Sequence, residues 1–513
     1  MMADVHAFKD LDRASNLPRR FSRVLALDPK GVAIEFEQRT FPWSYVAALR
    51  ESLDRELQAR GLGAGARVAV VLRNRPQHVA TVIALLATNR CIVTISPFSS
   101  GSKVAGDITA AAAPVLIADE QDWAVSEIHA VARERGMLAL CVTVDPAQPL
   151  HVTGDVDEPR GGSDRTYAPD VAIEMLTSGT TGEPKRVALH YPTLDHAVTS
   201  GLKPEALQGE LRLKTDPAIV YPTLVHIGGI YGVAMAVYEP RPIALLEKFE
   251  LEKWLALVRR YRPKFASLVP AAIRMVLEAD VPPDDLKSLL AVRAGTAALD
   301  QATQAEFEAR YGVPVLVTYG ATEFAGAVTR WTLEDYKRLG AEKRGSVGRA
   351  GPGFELRVVD RERDLELPAG EVGVLEIKAR RISGDQWIRT TDLASLDADG
   401  YLYIHGRADS AINRGGFKVL PEQVASVFRR HPSVQDAVIV ALPDSKLGHV
   451  PGLAVEARAG APRVTEDELR DYAREHLVSY QVPARYLILD ALPRSAAMKV
   501  RLVEVVELFG ATG

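Results

Sequence analysis

Thr177-Ser-Gly-Thr-Thr-Gly-Glu-Pro-Lys185 decides how the rest of this sequence is read. Four hydroxyls, two glycines and a lysine fall within one short stretch. Ser178, Thr180 and Thr181 can donate to phosphate oxygens. Gly179 and Gly182 let the backbone turn sharply and approach an anion closely. Lys185 adds a positive charge on a mobile stem. Upstream, Val171–Leu176 has the apolar character of a strand. Downstream, Val187 and Leu189 alternate as a second strand does. A loop between strands differs from the nucleotide-binding GxxxxGK[ST] loop, which opens a helix and places a hydroxyl after its lysine.

Working outward, strand-like and helix-like segments alternate along the chain, which predicts an α/β fold. Helices are expected at Trp43–Leu62, Gln77–Leu86, Phe249–Tyr261 and Gln301–Tyr311, and strands at Arg67–Leu72, Cys91–Ile95 and Pro314–Thr318. The best domain boundary lies near Gly406–Ala411. Before it, Asp397–Gly400 reads as a turn and Tyr401–His405 as a strand. After it, Pro421–Arg430 and Glu466–Leu477 read as helices, and Val434–Leu442 and Tyr486–Leu489 as strands. The expected division is residues 1–407 and 408–513, joined by a short charged hinge.

A chain of 513 residues is too long for one core. Its 47% hydrophobic and 25% charged residues describe a globular protein and argue against disorder. The formal charge of −4 gives no basic excess for a nucleic-acid surface. Cys91 and Cys141 stand far apart, without metal-ligand spacing, and are expected to be buried and inert. Met1 to Arg20 lacks an apolar signal core. The most apolar stretch, Val220–Tyr238, carries Pro222, His226 and glycines, so it predicts buried core at a turn and no membrane span. The cytoplasm is the expected location, with a homodimer an open alternative to a monomer.

The opening loop resembles the phosphate-binding signature TSGTTGxPKG of the adenylate-forming superfamily, which holds acyl- and aryl-CoA synthetases, peptide-synthetase adenylation domains and firefly luciferase. Arg186 stands where a small residue is common. Further stations follow in that family's order. Tyr319-Gly-Ala-Thr-Glu323 resembles YGxTE, and Ala294-Gly-Thr-Ala297 the segment lining the adenine pocket. Arg389-Thr-Thr-Asp392, Asp399-Gly-Tyr401 and Gly406-Arg407 resemble TGD…DGY…GR, with Thr391 in place of glycine. Gly406-Arg-Ala-Asp409 resembles the hinge. Asn413-Arg-Gly-Gly416-Phe-Lys418 resembles the loop that meets the thiol. Pro493-Arg-Ser-Ala-Ala-Met-Lys499-Val-Arg501 resembles PRTxxGKxxR, with Met498 in place of glycine.

The resemblance implies a large N-terminal domain of several subdomains, with mixed β-sheets flanked by helices, and a small mobile C-terminal α+β lid. It implies ATP, Mg²⁺ and CoA as reactants and cofactor, and a small carboxylic acid as substrate. Thr177, Ser178, Gly179, Thr180, Thr181, Gly182, Lys185, Gly295, Thr296, Ala297, Tyr319, Gly320, Thr322, Asp392 and Arg407 would bind the nucleotide. Glu323 would help hold the metal. Lys499, Thr322 and Glu323 would act in catalysis. Asp409 would be the pivot, and Gly415 and Gly416 would line the thiol path.

Tyr221-Pro-Thr-Leu-Val-His-Ile-Gly-Gly229 resembles the segment flanking the acyl pocket. His226, Ile227, Gly228, Tyr231 and Gly320 are its candidate lining, and the glycines hint at room for bulk. His226 is either beside the acid or a histidine of the core or one step behind the acid. Amino-acid-activating relatives place an aspartate near here. None lies between Tyr221 and Tyr231, which favours an unsubstituted organic acid.

The expected reaction joins the acid to AMP with loss of pyrophosphate, then passes the acyl group to the thiol of CoA. One alternative is a free-standing enzyme that loads a carrier-protein phosphopantetheine. Two others are a phosphoryl-transfer P-loop protein, disfavoured by the missing GK[ST], and a non-catalytic nucleotide binder.

Overall fold

A computed structural model describes residues 16–153, 166–176, 185–202, 209–495 and 498–511. The α/β fold read from the sequence is present. The chain divides into two compact units. The first contains residues up to 263 together with 320–327, and the second contains 264–319 and 328–511.

The first unit is built on a seven-stranded sheet. In spatial order its strands are Leu150–Val152, Leu138–Val142, Val115–Asp119, Arg67–Val71, Cys91–Ile95, Val171–Leu176 and Arg186–His190. The central five pair in parallel and the outer two antiparallel. The inner strands Arg67–Val71, Cys91–Ile95, Val115–Asp119 and Leu138–Val142 are buried along their whole length. That is why they read as continuous apolar runs without alternation. A second, four-stranded sheet holds Ala218–Val220, Ile243–Leu245, Val32–Phe36 and Arg39–Pro42.

The helix Pro76–Ala87 is buried on every face. It packs on strands of both sheets and on the helices Leu17–Leu25, Trp43–Gln58 and Ile227–Tyr238. A helix that is apolar all round belongs in such a central place. Trp43–Gln58 turns one stripe inward, with Trp43, Val46, Leu49, Leu53 and Leu57 at three- and four-residue spacing. It ends four residues short of the expected Leu62. Gly61 takes φ +70°, and the Leu62 N–H donates to the Leu57 carbonyl at 2.9 Å, which closes the helix. Both cysteines are free and buried. Among the described residues, no helix is long and apolar enough to cross a membrane.

One buried group in this unit makes stability depend on pH. His78 Nδ1 lies 2.9 Å from the Arg73 backbone nitrogen and 3.1 Å from the Arg73 carbonyl oxygen. Burial pushes its pKa down to about 4, against the opposing charge of Asp119. The unfolded chain therefore binds a proton below about pH 6.5 that the folded chain refuses. Stability is full above that pH and falls between about 6.5 and 4, by about 3 kcal/mol from this group. His78→Asn keeps an acceptor for Arg73 but does not titrate. Urea unfolding at several pH values should show a shallower acid slope for this variant, and an unchanged slope would exclude His78 as the source.

In the second unit, Phe265–Ser267, Ala291–Ala294 and Val315–Val317 form a parallel sheet. Phe354–Val359, Gly373–Ala379, Trp387–Leu396 and Leu402–Arg407 form an antiparallel meander. Residues from 412 onward make a five-stranded sheet: Phe417–Val419, Ile412–Arg414, Gly448–Ala457 and Val434–Asp444, with Arg485–Leu489 added parallel to Gly448–Ala457. The helices Pro421–Phe428, Glu466–His476 and Leu502–Ala511 cover it, over two apolar clusters of its own.

Candidate active site

In the first unit, Val171–Leu176 and Arg186–His190 form an antiparallel pair with Leu176 opposite Arg186. The strands that flank the glycine and hydroxyl stretch in sequence thus lie side by side. Thr177, Ser178, Gly179, Thr180, Thr181 and Gly182 lie outside the described residues. Lys185 is exposed where the chain re-enters the sheet. Arg186 points away from that role. Its Nη1 donates to the Thr94 carbonyl at 3.2 Å, and burial lowers its pKa. The departure at Arg186 therefore braces this strand pair against the neighbouring strand.

A short hairpin pairs Gly320–Ala321 with Gly326–Ala327, and its tip is a 3₁₀ turn, Thr322–Phe324. Phe324 and Ala325 are buried, which leaves Thr322 half-buried and Glu323 exposed. The turn packs on strand Arg186–His190, and Gly326–Ala327 packs on helix Ile227–Tyr238. Three predicted stations, the end of the phosphate loop, the Thr322–Glu323 turn and the acyl-side helix, thus meet within one unit. Glu323 forms no hydrogen bond or ion pair among the described residues. A single free carboxylate fits Mg²⁺, which is completed mainly by phosphate and water oxygens.

His226 is exposed as the N-cap of helix Ile227–Tyr238, which ends the core alternative. Ile227, Gly228 and Tyr231 are half-buried on the helix's first turns. The glycines act differently from the expected opening of space. A Cβ on Gly229 would lie 2.3 Å from the Thr223 carbonyl oxygen, and one on Gly320 2.1 Å from that of Gly326. Both serve close backbone approach. Gly228 alone has room, its nearest neighbour being Pro222 at 3.7 Å.

Sequence reading missed Asn74. This buried amide donates to the carbonyls of Tyr221, Pro222 and Leu246 and accepts the Leu224 N–H at 2.9 Å. It pins the turn that delivers His226. An asparagine beside a helix-opening Pro76 looks like an ordinary cap, and nothing local signals partners 150 residues away.

In the second unit, Gly295, Thr296 and Ala297 leave the C-terminal end of strand Ala291–Ala294, next to Tyr319 after strand Val315–Val317. Ligands of parallel α/β sheets bind at such ends. Thr296 takes φ +71°, a strained setting for a β-branched residue. The Tyr319 hydroxyl donates to Asp392 Oδ2 at 2.5 Å. Asp392 lies opposite Arg407 on the adjacent strand. Arg407 makes a two-pronged pair with Asp409, at 2.9 and 2.6 Å, and also donates to the Thr391 hydroxyl at 2.8 Å. Thr391, where the family pattern has glycine, gives Arg407 a partner that glycine lacks.

Gly415 and Gly416 form the two-residue turn between Ile412–Arg414 and Phe417–Val419, at φ +57° and +94°. Two successive positive φ values define the hairpin turn that favours glycine. Asn413 Oδ1 accepts the Gly416 N–H at 3.0 Å, and nothing lies within 4 Å of a Cβ placed on Gly416.

Lys499 sits in a tight turn. Arg494 and Val500 form a bridge, and the Ser495 N–H donates to the Lys499 carbonyl at 2.8 Å. Residue 499 is exposed by surface area, but surrounding protein crowds its ammonium. That crowding, and then the charge of Arg407, lowers its pKa. Met498 takes φ +61°, so the missing glycine's backbone conformation is kept by a residue that resists it. Met498→Gly should raise stability by about 1 kcal/mol, read as a higher urea midpoint; an equal or lower midpoint would mean that no strain is held there.

The buried trio His78, Asp119 and Asp122 is the one cluster among the described residues with metal-holding spacing. Arg73 and Arg75 already occupy its carboxylates, which neutralises the charge an ion would need.

Known proteins resemble this chain along most of its length. The family described as "AMP-binding enzyme" matches residues 21–383, and "AMP-binding enzyme C-terminal domain" matches 423–499. 4-Coumarate–CoA ligase 1 of Petroselinum crispum is 25% identical over 481 residues, covering 90% of this chain and 88% of its own. ATP-bound MatB from Rhodopseudomonas palustris superposes with a TM-score of 0.78 at 23% identity, over 96% of this chain and 99% of that one. The amide bond synthetase Mcba from Marinactinospora thermotolerans gives 0.75 at 23%, over 97% and 100%.

Proposed function

We propose, since the chain belongs to the AMP-binding enzyme family, that it is a carboxylate–CoA ligase working through an acyl-adenylate. It is an AMP-forming acid–thiol ligase. The finer reading concerns which residues act and which thiol accepts. The observation that carries it is the arrangement in the second unit: Tyr319 bonded to Asp392, Asp392 paired across strands with Arg407, and Lys499 within the field of Arg407. An acceptor-only carboxylate suits the two ribose hydroxyls. Lys499 then brings positive charge to the side where a substrate carboxylate attacks phosphorus.

No general base is required, because the acid is already ionised near neutral pH. Two anions must be brought together, and fixed positive groups do this best where they need no reorganisation. Lys185 would add positive charge there, and the loop hydroxyls would add hydrogen-bond donors. Mg²⁺ bound at Glu323 would supply further neutralisation of the phosphates. His226, exposed at its helix start, faces the acid. The thiol step needs the opposite, an open path, which Gly416 provides. The segment from 408 carries both Lys499 and Gly416, and rotation about Asp409 exchanges them.

A pyrophosphate-release screen over aliphatic and aromatic acids, with and without CoA and a phosphopantetheinyl carrier protein, tests this reading. Acid-dependent pyrophosphate, followed by AMP and an acyl-CoA, is expected. Release of phosphate and ADP, or faster transfer to the carrier protein or an amine than to CoA, would overturn it.

A further inference from the structure

Asp436, on strand Val434–Asp444, is 3% exposed and meets three arginines. Its Oδ1 accepts from Arg429 Nε at 2.9 Å and from the Ala437 N–H at 2.9 Å. Its Oδ2 accepts from Arg494 Nη2 at 2.8 Å and Arg274 Nη2 at 2.9 Å. These arginines differ in origin. Arg429 lies just beyond the neighbouring helix and is held by Glu422 and the Ala437 carbonyl as well, so it belongs to the local fold. Arg494 belongs to the turn of Lys499. It also donates to Glu456 Oε2 at 3.1 Å and to the Met498 carbonyl at 3.3 Å, one residue before the lysine. Arg274 comes from the helix Pro270–Glu278, far earlier in the chain.

Arg429 and Arg494 are shared with Glu422 and Glu456, so Arg274 completes the balance of three carboxylates with a third guanidinium. That guanidinium comes from a distant helix and is itself mostly buried, so breaking the pair would strand a desolvated charge. Its placement makes sense as a dock. We propose that Asp436 is a positioning residue for the adenylation step: one carboxylate oxygen holds the Lys499 turn through Arg494 and, through Arg274, seats that turn on the helix Pro270–Glu278.

This rests on Lys499 acting in adenylation. Breaking the seat lets the turn drift, and a lysine displaced by about an ångström loses much of its effect. The thiol step, which has no use for Lys499 in place, is spared. Glu278, one turn from Arg274, faces the same cluster and also Arg458, so removal of Arg274 leaves no bare carboxylate without a cation nearby.

Full-length Arg274→Met is assayed in both half-reactions, with the acid that gives fastest pyrophosphate release. Adenylation is followed by pyrophosphate exchange, and thioester formation is followed from supplied acyl-adenylate. Adenylation should fall about tenfold or more, the scale of one charge-assisted hydrogen bond, with thioester formation within about twofold and partial recovery in Arg274→Lys. Arg494→Met should show the same split and faster hydrogen exchange over residues 493–501. Equal losses in both half-reactions, or none, while Lys499→Ala selectively slows adenylation, would overturn the seat. Failure of Lys499→Ala to slow adenylation would instead overturn the reading beneath it.

Discussion

Lys499→Ala should slow acyl-adenylate formation by about a hundredfold or more and leave thioester formation from a supplied acyl-adenylate near its original rate. The effect follows from where charge builds. As the acid's oxygen closes on the α-phosphorus, negative charge grows on groups that already repel one another. A cation fixed beside them is worth far more there than in water. Lys499 is held in that posture by the Arg494–Val500 bridge and lies within the field of Arg407. In the second half-reaction a neutral or anionic thiol attacks a carbonyl carbon, and AMP leaves as a stable anion. Pyrophosphate exchange and single-turnover thioester assays separate the two. Comparable losses in both would remove Lys499 from its role.

Gly416→Leu should do the reverse: adenylate should still form, and transfer to CoA should fall by about a hundredfold, the penalty for displacing a reacting group by about an ångström. The space is present, since no atom lies within 4 Å of the position a Cβ would take. Leucine fills it. The turn's φ of +94° adds strain of about 1–2 kcal/mol, so a melting curve must accompany the assay. Gly416→Ala adds a similar strain with little bulk and separates the two effects. If Gly416→Ala and Gly416→Leu slow transfer equally, backbone geometry and not a thiol path is the cause.

Local pattern made much of the fold legible. Cys91–Ile95, Val171–Leu176 and Gln301–Tyr311 form as read, because each is bounded by its own breaking signals, such as the Asp300 cap and Gly312 at φ +64°. Helix Ile227–Tyr238 was not read as a helix. Gly228, Gly229 and Gly232 lower its propensity, and burial against the Asn74-pinned turn overrides that. Strand order was not legible either. Nothing near Ile243–Leu245 says that its parallel neighbour is Val32–Phe36, some two hundred residues earlier.

In the site, the residue types proposed at Asp392 and Glu323 come from chemistry that restricts the choice, an acceptor-only carboxylate in each case. Departures from pattern were readable as departures and not as compensations. The Thr391 hydroxyl reaching Arg407, Arg186 bracing Thr94 and Met498 at φ +61° each depend on partners or dihedrals that only the folded chain supplies.

The hairpin Gly320–Ala327 belongs to the first unit while the chain on both sides of it belongs to the second. Among the described residues, the polypeptide therefore passes between the units at Pro263, at Tyr319 and again after Ala327. No single cut yields two intact halves: a fragment ending at Pro263 lacks Thr322 and Glu323, and the remainder carries them on an orphaned loop. Split-gene expression, modular swapping with relatives and truncation from either terminus all meet this stitch. Recombination that respects it must exchange eight residues together with a segment they do not adjoin in sequence.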